Sequence, residues 1–184
     1  MVYIDIETLA EQISQASFPS EGSSDTASCA NEEAQDAFKK IERLVKVRDR
    51  SVCETRKRLV RDGYSDSAIQ SAVEKALCVR YLDDTRFADV LVRSRLRAWK
   101  GLPGVIRELR EHEIDPERIL VGFPDSYLEQ FPNQEDAAYR LLCRKPPRAK
   151  NVKQAAYAKL IRSGYSSAVA ADVVKLWLRD REDV

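Results

Sequence analysis

Apolar residues recur every three or four positions from about Glu33 onward, the spacing of amphipathic helices. A first helix is predicted from about Glu33 to Val47, with Phe38, Ile41, Leu44 and Val45 on one stripe. Asp49-Arg50 interrupts it. Ser51, with Glu54 three residues later, forms a capping-box pattern that starts a second helix carrying Leu59 and Val60. That helix stops at Gly63, a residue that accepts the left-handed backbone of a helix end. Ser65 caps a third helix on which Ala68, Ile69, Ala72, Val73, Ala76 and Leu77 follow the 3–4 repeat.

The pattern then starts again. Asp83 caps a helix with Phe87, Leu91 and Val92 on its apolar side. Lys100-Gly101-Leu102-Pro103 breaks it, and Val105, Ile106 and Leu109 mark the next helix. Asp115 is a cap with Pro116 in the favoured first position, and Gly122 and Pro124 end that helix early, with a short turn around 126–130. A third round opens at Asn133 and carries Ala137, Ala138, Leu141 and Leu142. Pro146-Pro147 separates it from a helix capped by Asn151 and ended by Gly164. Ser166 caps the last helix, with Val169, Val173, Val174, Trp177 and Leu178.

The rounds align residue by residue. Leu59-Val60-Arg61-Asp62-Gly63-Tyr64-Ser65 matches Leu160-Ile161-Arg162-Ser163-Gly164-Tyr165-Ser166, with Leu109-Arg110-Glu111-His112-Glu113-Ile114-Asp115 between them. The offsets are 50 and 101, a period that denotes stacked supersecondary units. The expected fold is all-α: three tandem three-helix repeats, 34–80, 81–132 and 133–184, with nine principal helices in an elongated, curved array. Each unit needs its neighbour to finish burying its apolar faces. Glu113 stands where the other copies have glycine; in a left-handed conformation it costs roughly 1 kcal/mol.

Composition supports helices. Of 184 residues, 43% are hydrophobic and 33% charged, with only 6 glycines and 7 prolines. Residues 1–33 read as a separate acidic extension. Val2–Ile6 is a candidate strand, and Phe18 to Ala30 a linker too rich in small and polar residues to bury much. No apolar run is long enough to span a membrane and no signal-peptide pattern opens the chain, so a cytoplasmic, monomeric protein is expected. Cys29, Cys53, Cys78 and Cys143 are scattered, without a C-x-x-C pair, which reads as reduced thiols.

The net charge of +1 conceals a strong asymmetry. Residues 1–38 hold eight carboxylates and no Lys or Arg; residues 39–110 hold nineteen bases against ten acids; residues 111–184 hold twelve of each. The middle of the chain is therefore the candidate surface for a polyanion, the alternative being an ordinary solvated helical face. Arg93, Arg97 and Lys100 share a helix face by spacing, as do Lys57 and Arg61, with Arg50 just before their helix. Arg107 and Arg110 lie three apart on the fifth helix. Guanidinium groups bind phosphates and carboxylates bidentately. Arg144 to Lys150, with Lys153, is a second basic stretch, either a phosphate contact or a plain exposed connection.

Trp99 is either a stacking platform for a base or a residue packed between repeats. Asp83-Asp84 fits a helix cap better than an acid–base pair, with Asp84 also a candidate at a partner surface. His112 is the only histidine and no cysteine spacing suits zinc, so no metal or other cofactor is expected. No phosphate-loop, dinucleotide-binding or nucleophile motif occurs, which argues against an enzyme.

Arg48-Asp49-Arg50-Ser51, Leu59-Val60-Arg61-Asp62-Gly63-Tyr64 and Tyr81-Leu82-Asp83-Asp84-Thr85-Arg86-Phe87-Ala88 together resemble the RecX family of bacterial recombination regulators. The likeness continues through Val92 to Arg97, Lys100-Gly101 and Ile106-Arg107-Glu108-Leu109, and covers about residues 34–180. Arg80 stands where that family usually has glycine. The resemblance implies tandem three-helix repeats and binding to RecA filaments on single-stranded DNA. It also implies restraint of filament growth, ATP hydrolysis and strand exchange, and hence modulation of DNA repair and the SOS response. The site residues expected on this basis are Arg50, Lys57, Arg61, Asp84, Arg86, Arg93, Arg97, Trp99, Lys100, Arg107 and Arg110. The competing readings are a stand-alone helical DNA-binding protein and a general helical adaptor.

Overall fold

The structure, a computed structural model, describes the backbone of residues 24–182 and the side chains of 31–181. The described residues form ten helical segments and no strand. They fall into three triplets. The first is α1 (Ser24–Val45), α2 (Val52–Arg61) and α3 (Asp66–Cys78); the second is α4 (Asp84–Arg97), α5 (Leu102–Glu111) and a third position split into α6 (Pro116–Ile119) and α7 (Asp125–Leu128). The third is α8 (Gln134–Arg144), α9 (Val152–Arg162) and α10 (Ser167–Glu182). The all-α tandem-repeat architecture is the one the spacing predicts.

The caps form where short polar side chains precede apolar periodicity. Ser51 Oγ accepts the Glu54 N–H at 3.1 Å and Asp83 the Arg86 N–H at 3.0 Å. Asn151 accepts the Gln154 N–H at 3.0 Å and Ser166 the Val169 N–H at 3.3 Å. These bonds satisfy donors that have no partner inside the helix. Glu54 does not reach back to Ser51, as a full capping box would. Its carboxylate is held instead by Arg48 and Arg50.

Each triplet has its own core. The first gathers Ile41, Leu59, Ile69, Val73 and Leu82; the second Phe87, Val92, Val105, Leu109 and Tyr127; the third Leu142, Leu160, Tyr165, Val174 and Trp177. The densest helix contacts run within triplets, α1 on α3 and α8 and α9 on α10.

Two details depart from the expected layout. The first helix begins at Ser24, so part of the expected linker is helical backbone; Ala27, Ala30 and Ala34 are strong helix formers and Asp25 suits a first turn. Leu82, placed by spacing in the second unit, closes the first core, and Tyr81 lies at its exposed edge. Their N–H groups both bond the Ala76 carbonyl, which folds the chain back so that Leu82 is buried and Tyr81 stacks on Phe38. The third helix of the middle triplet ends early, as the spacing predicts: Gly122 is left-handed and Pro124 offers no N–H, so the chain turns and Tyr127 of α7 fills the core. The candidate strand Val2–Ile6 lies outside the described residues.

Glu113 does adopt the left-handed backbone, with φ of 62°, matching Gly63 at 90° and Gly164 at 91°. Arg80, at 55°, does the same in the turn after α3.

The junctions between triplets repeat with the sequence. At the first, the Val52 N–H at the start of α2 donates to Asp84 Oδ1 at 2.9 Å, and Ser51 Oγ meets His112 Nδ1 at 2.9 Å. At the second, the Leu102 N–H at the start of α5 donates to Gln134 Oε1 at 2.8 Å. There the Gly101 N–H donates to the Ser163 carbonyl at 3.0 Å and the Gly104 N–H to the Gly164 carbonyl at 2.9 Å. A Cβ on Gly104 would sit 2.5 Å from Gly164 Cα.

Gly104→Ala therefore forces two backbones apart and is expected to cost about 1–3 kcal/mol, read from the urea midpoint at unchanged m value. Glu113→Gly relieves a strained conformation at an exposed position and should raise stability by roughly 0.5–1 kcal/mol in the same assay.

Candidate functional site

The second helices of the first two triplets, α2 and α5, occupy positions 52–61 and 102–111, an offset of 50 at both ends. Their solvent faces carry equivalent grooves. Arg50, Glu54, Lys57, Arg58 and Arg61 line the first, of about 400 Å³. Lys100, Gly104, Arg107, Glu108 and Glu111, the same positions fifty residues on, line the second, of about 250 Å³, together with Arg162 and Gly164 from the third triplet.

The grooves differ in how their cations are satisfied. In the first, Glu54 holds both Arg48 and Arg50, Arg58 bonds Asp62 at 3.2 Å, and Lys57 lies 3.9 Å from Glu113. The Lys57 ammonium is held above its ordinary value by the Cys53 thiol beside it and by Glu113. Arg61 is exposed and joins no ion pair among the described residues. In the second groove glycine replaces Glu54. Glu108 is held by Arg95 in a two-point bond of 2.8 and 2.5 Å, which keeps its carboxyl below the usual range. Lys100, Arg107 and Arg162 form no ion pair among the described residues.

The remaining candidates separate by environment. Arg93 is half-buried: its guanidinium bonds Asp89 at 2.9 Å and Gln130 at 2.6 Å and lies 5.0 Å over the Tyr127 ring. The Tyr127 hydroxyl donates to Asp89, and burial beside that carboxylate pushes it up to about 12. Arg93 is thus held on its own triplet, and the shared face inferred from helical spacing leaves Arg97 as the freely exposed arginine of α4. Arg86 pairs with Asp49 at 3.1 Å and reaches the Arg80 and Tyr81 carbonyls at 3.4 Å, tying α4 to the preceding turns. Arg110 is exposed and unpaired among the described residues.

Asp84 does not face outward as a free acid. It is half-buried and engaged with Val52, and burial pushes its carboxyl above the ordinary value despite that bond. Trp99 packs against the third core, its carbonyl accepts the Tyr165 hydroxyl at 2.8 Å, and Arg144 covers one ring face at 5.5 Å. It is a joint between the second and third triplets.

Sequence reasoning missed Arg162. Its helix is the third copy, and the shift of 101 equates it with Arg61, but only the docking of Gly164 on Gly104 brings it beside Lys100 and Arg107. The signal was present as two glycines three apart, at positions where the first repeat has Ser51 and Glu54.

Among the described residues no group of three or more His, Cys, Asp or Glu side chains is placed to hold a metal ion, and no helix is long and apolar enough to cross a membrane. Cys53, Cys78 and Cys143 are free thiols.

No family model matches the chain. Among characterised relatives it is 32% identical over 176 residues to the regulatory protein RecX of Mycobacterium sp. (strain KMS), covering 88% of this chain and 94% of the relative. It is 29% identical over 148 residues to that of Mycolicibacterium smegmatis, covering 77% and 79%. With that of Stenotrophomonas maltophilia (strain R551-3) it shares 39% over 80 residues, 44% of this chain and 48% of the relative. The fold matches a crystal structure of regulatory protein RecX with a TM-score of 0.60 at 20% identity, over 89% of this chain and 82% of that one. It matches RecX from Lactobacillus salivarius with a TM-score of 0.58 at 15% identity, over 80% and 97%.

The Asp84 contact makes a prediction with a defined sign. Because burial raises its folded pKa above 3.8, folding is favoured by protonation, and the wild type loses stability as pH rises through the window above 3.8. Asp84→Asn keeps an acceptor for Val52, as Gln134 does for Leu102, without a buried charge. Its melting temperature relative to wild type should rise between pH 3 and pH 7. A parallel pH dependence of the two proteins would disprove the assignment.

Proposed function

The chain belongs to the RecX family of regulatory proteins, and from that premise we propose that it binds a RecA filament on single-stranded DNA and restrains it. The effect is exerted by binding, without catalysis: a rigid array spanning neighbouring recombinase subunits favours one filament geometry and hinders subunit addition, ATP hydrolysis and strand exchange. In the cell this modulates recombination, DNA repair and the SOS response.

The observation that carries this reading is the set of exposed cations, without ion-pair partners among the described residues, that the first two triplets present: Arg61 on α2, Arg97 on α4, and Lys100, Arg107 and Arg110 at and along α5. A filament of protein wrapped on nucleic acid is a repeating, acidic partner, and a repeating basic scaffold is complementary to it. Arg50, Lys57, Arg86 and Arg93 already have carboxylate partners, so on this reading they shape the surface, and only the exposed Lys57 and Arg86 pairs exchange for weaker contacts with the partner. Asp84 and Trp99 act from beneath, by fixing the junctions.

The test is ATP hydrolysis by the cognate recombinase on single-stranded DNA, with co-sedimentation on filament, bare DNA and recombinase alone. Stoichiometric inhibition, and pelleting with filament that weakens as salt rises, are expected. Tight pelleting with bare DNA and no inhibition would favour the stand-alone DNA-binding protein; salt-independent behaviour without inhibition would favour the adaptor. Arg97→Glu should weaken inhibition about tenfold with an unchanged melting temperature. Arg93→Glu should lower the melting temperature, because it breaks the Asp89–Tyr127–Gln130 contacts.

A further inference from the structure

We infer that the cleft between the second and third triplets binds a backbone phosphate of single-stranded DNA directly, through Lys100, Arg107 and Arg162. This rests on the filament-binding reading and separates its DNA-facing cations from its recombinase-facing ones.

Three observations converge. First, the cleft gathers cations from three elements: the turn before α5, the body of α5 and the end of α9. None of them is paired among the described residues, unlike Arg50 and Lys57 in the equivalent groove. Second, the carboxylate that neutralises the first groove has been removed. Glu54 holds Arg48 and Arg50, whereas its counterpart is Gly104, which carries no side chain. The closely packed Gly164 backbone then forms the cleft floor, and the cations stand around it without an internal anion at that position. Of the two remaining acids, Glu108 is held by Arg95. Glu111 is exposed and has no ion-pair partner among the described residues, so it opposes an incoming anion.

Third, a further exposed cation, Arg144, sits on the ring of the residue that precedes Lys100. Lys100 follows Trp99, whose ring is covered by Arg144, and Arg144 opens the loop that carries Lys145, Arg148 and Lys150, all exposed. Several cations from separate elements around and near a concave site suit a polyanion with repeated charges better than a single acidic side chain of a protein partner.

Binding of a fluorescent oligothymidylate to the full-length protein, without recombinase and across a salt series, tests this. The wild type should bind with a negative slope of log affinity against log salt. Lys100→Ala, Arg107→Ala and Arg162→Ala should each weaken binding roughly 3- to 10-fold at low salt and make the slope shallower by about 0.7, the value of one single-strand phosphate contact. Glu111→Gln should tighten binding roughly 2- to 5-fold, a gain that misfolding cannot produce. Lys39→Ala, which removes an equal charge on α1, should leave affinity unchanged. Melting temperatures establish that each variant is folded.

No binding of oligothymidylate by the wild type, or wild-type affinity and slope in the folded triple alanine variant, overturns the inference. If that variant binds the oligonucleotide normally yet no longer inhibits the recombinase, the cleft faces recombinase carboxylates, and the filament reading stands while the phosphate assignment falls. If the wild type binds oligonucleotide as described but never inhibits the recombinase, the phosphate site stands and the filament reading falls.

Discussion

The start of a second helix, left with N–H groups its own turns cannot satisfy, is the point on which this molecule is assembled. In the first two triplets that start is completed by the next triplet. The first residue of the following helix supplies an acceptor, Asp84 for Val52 and Gln134 for Leu102, fifty positions apart in both donor and acceptor. The turn ending the next second helix then seats against the same helix start, through Ser51 and His112 in one junction and through Gly101, Gly104 and Gly164 in the other. Hydrogen bonds of this kind are worth about 1 kcal/mol each. Their larger effect is geometric, since they fix α2 relative to α5 and α5 relative to α9. A surface that repeats along the chain follows from a joint that repeats.

Charge is distributed over that scaffold according to what each cation finds nearby. Helical spacing places Arg93, Arg97 and Lys100 on one face, but says nothing of Asp89, Gln130 and Tyr127, which surround Arg93. The same holds for Arg86, drawn to Asp49 and two carbonyls across a turn. Basic count along the sequence therefore overstates the outward-facing cations. What remains without an ion pair among the described residues, Arg61, Arg97, Lys100, Arg107 and Arg110, is fewer in number but exchanges water for a partner's anions at the low desolvation cost of exposed groups.

Local chemistry was legible in the sequence and distant chemistry was not. Ser51, Asp83, Asn151 and Ser166 cap where they were expected to, because a cap needs only its own side chain and an N–H two or three residues on. The left-handed Glu113 was readable because a repeat makes one copy a template for another. By contrast, the membership of Leu82 in the first core, and the stacking of Tyr81 on Phe38, depend on the chain folding back onto Ala76. The early end of α6 was readable from Gly122 and Pro124, but the return of Tyr127 into the core was not. Arg162 became part of a site only through the packing of a turn sixty residues from its neighbours in the chain.

One glycine links the packing of the triplets to the charge of the cleft. At position 54 the first repeat has a carboxylate, and its groove holds its own counter-ion. At position 104 the second repeat has none, and the same absence admits the Gly164 backbone to a distance no Cβ would allow. That approach carries Arg162, two residues before Gly164, to the rim where Lys100 and Arg107 stand. Close packing between triplets and an open, positively charged cleft are thus consequences of a single missing side chain. A larger residue there would separate the triplets, and an acidic one that still fitted would neutralise the cleft, so stability and charge select the same residue.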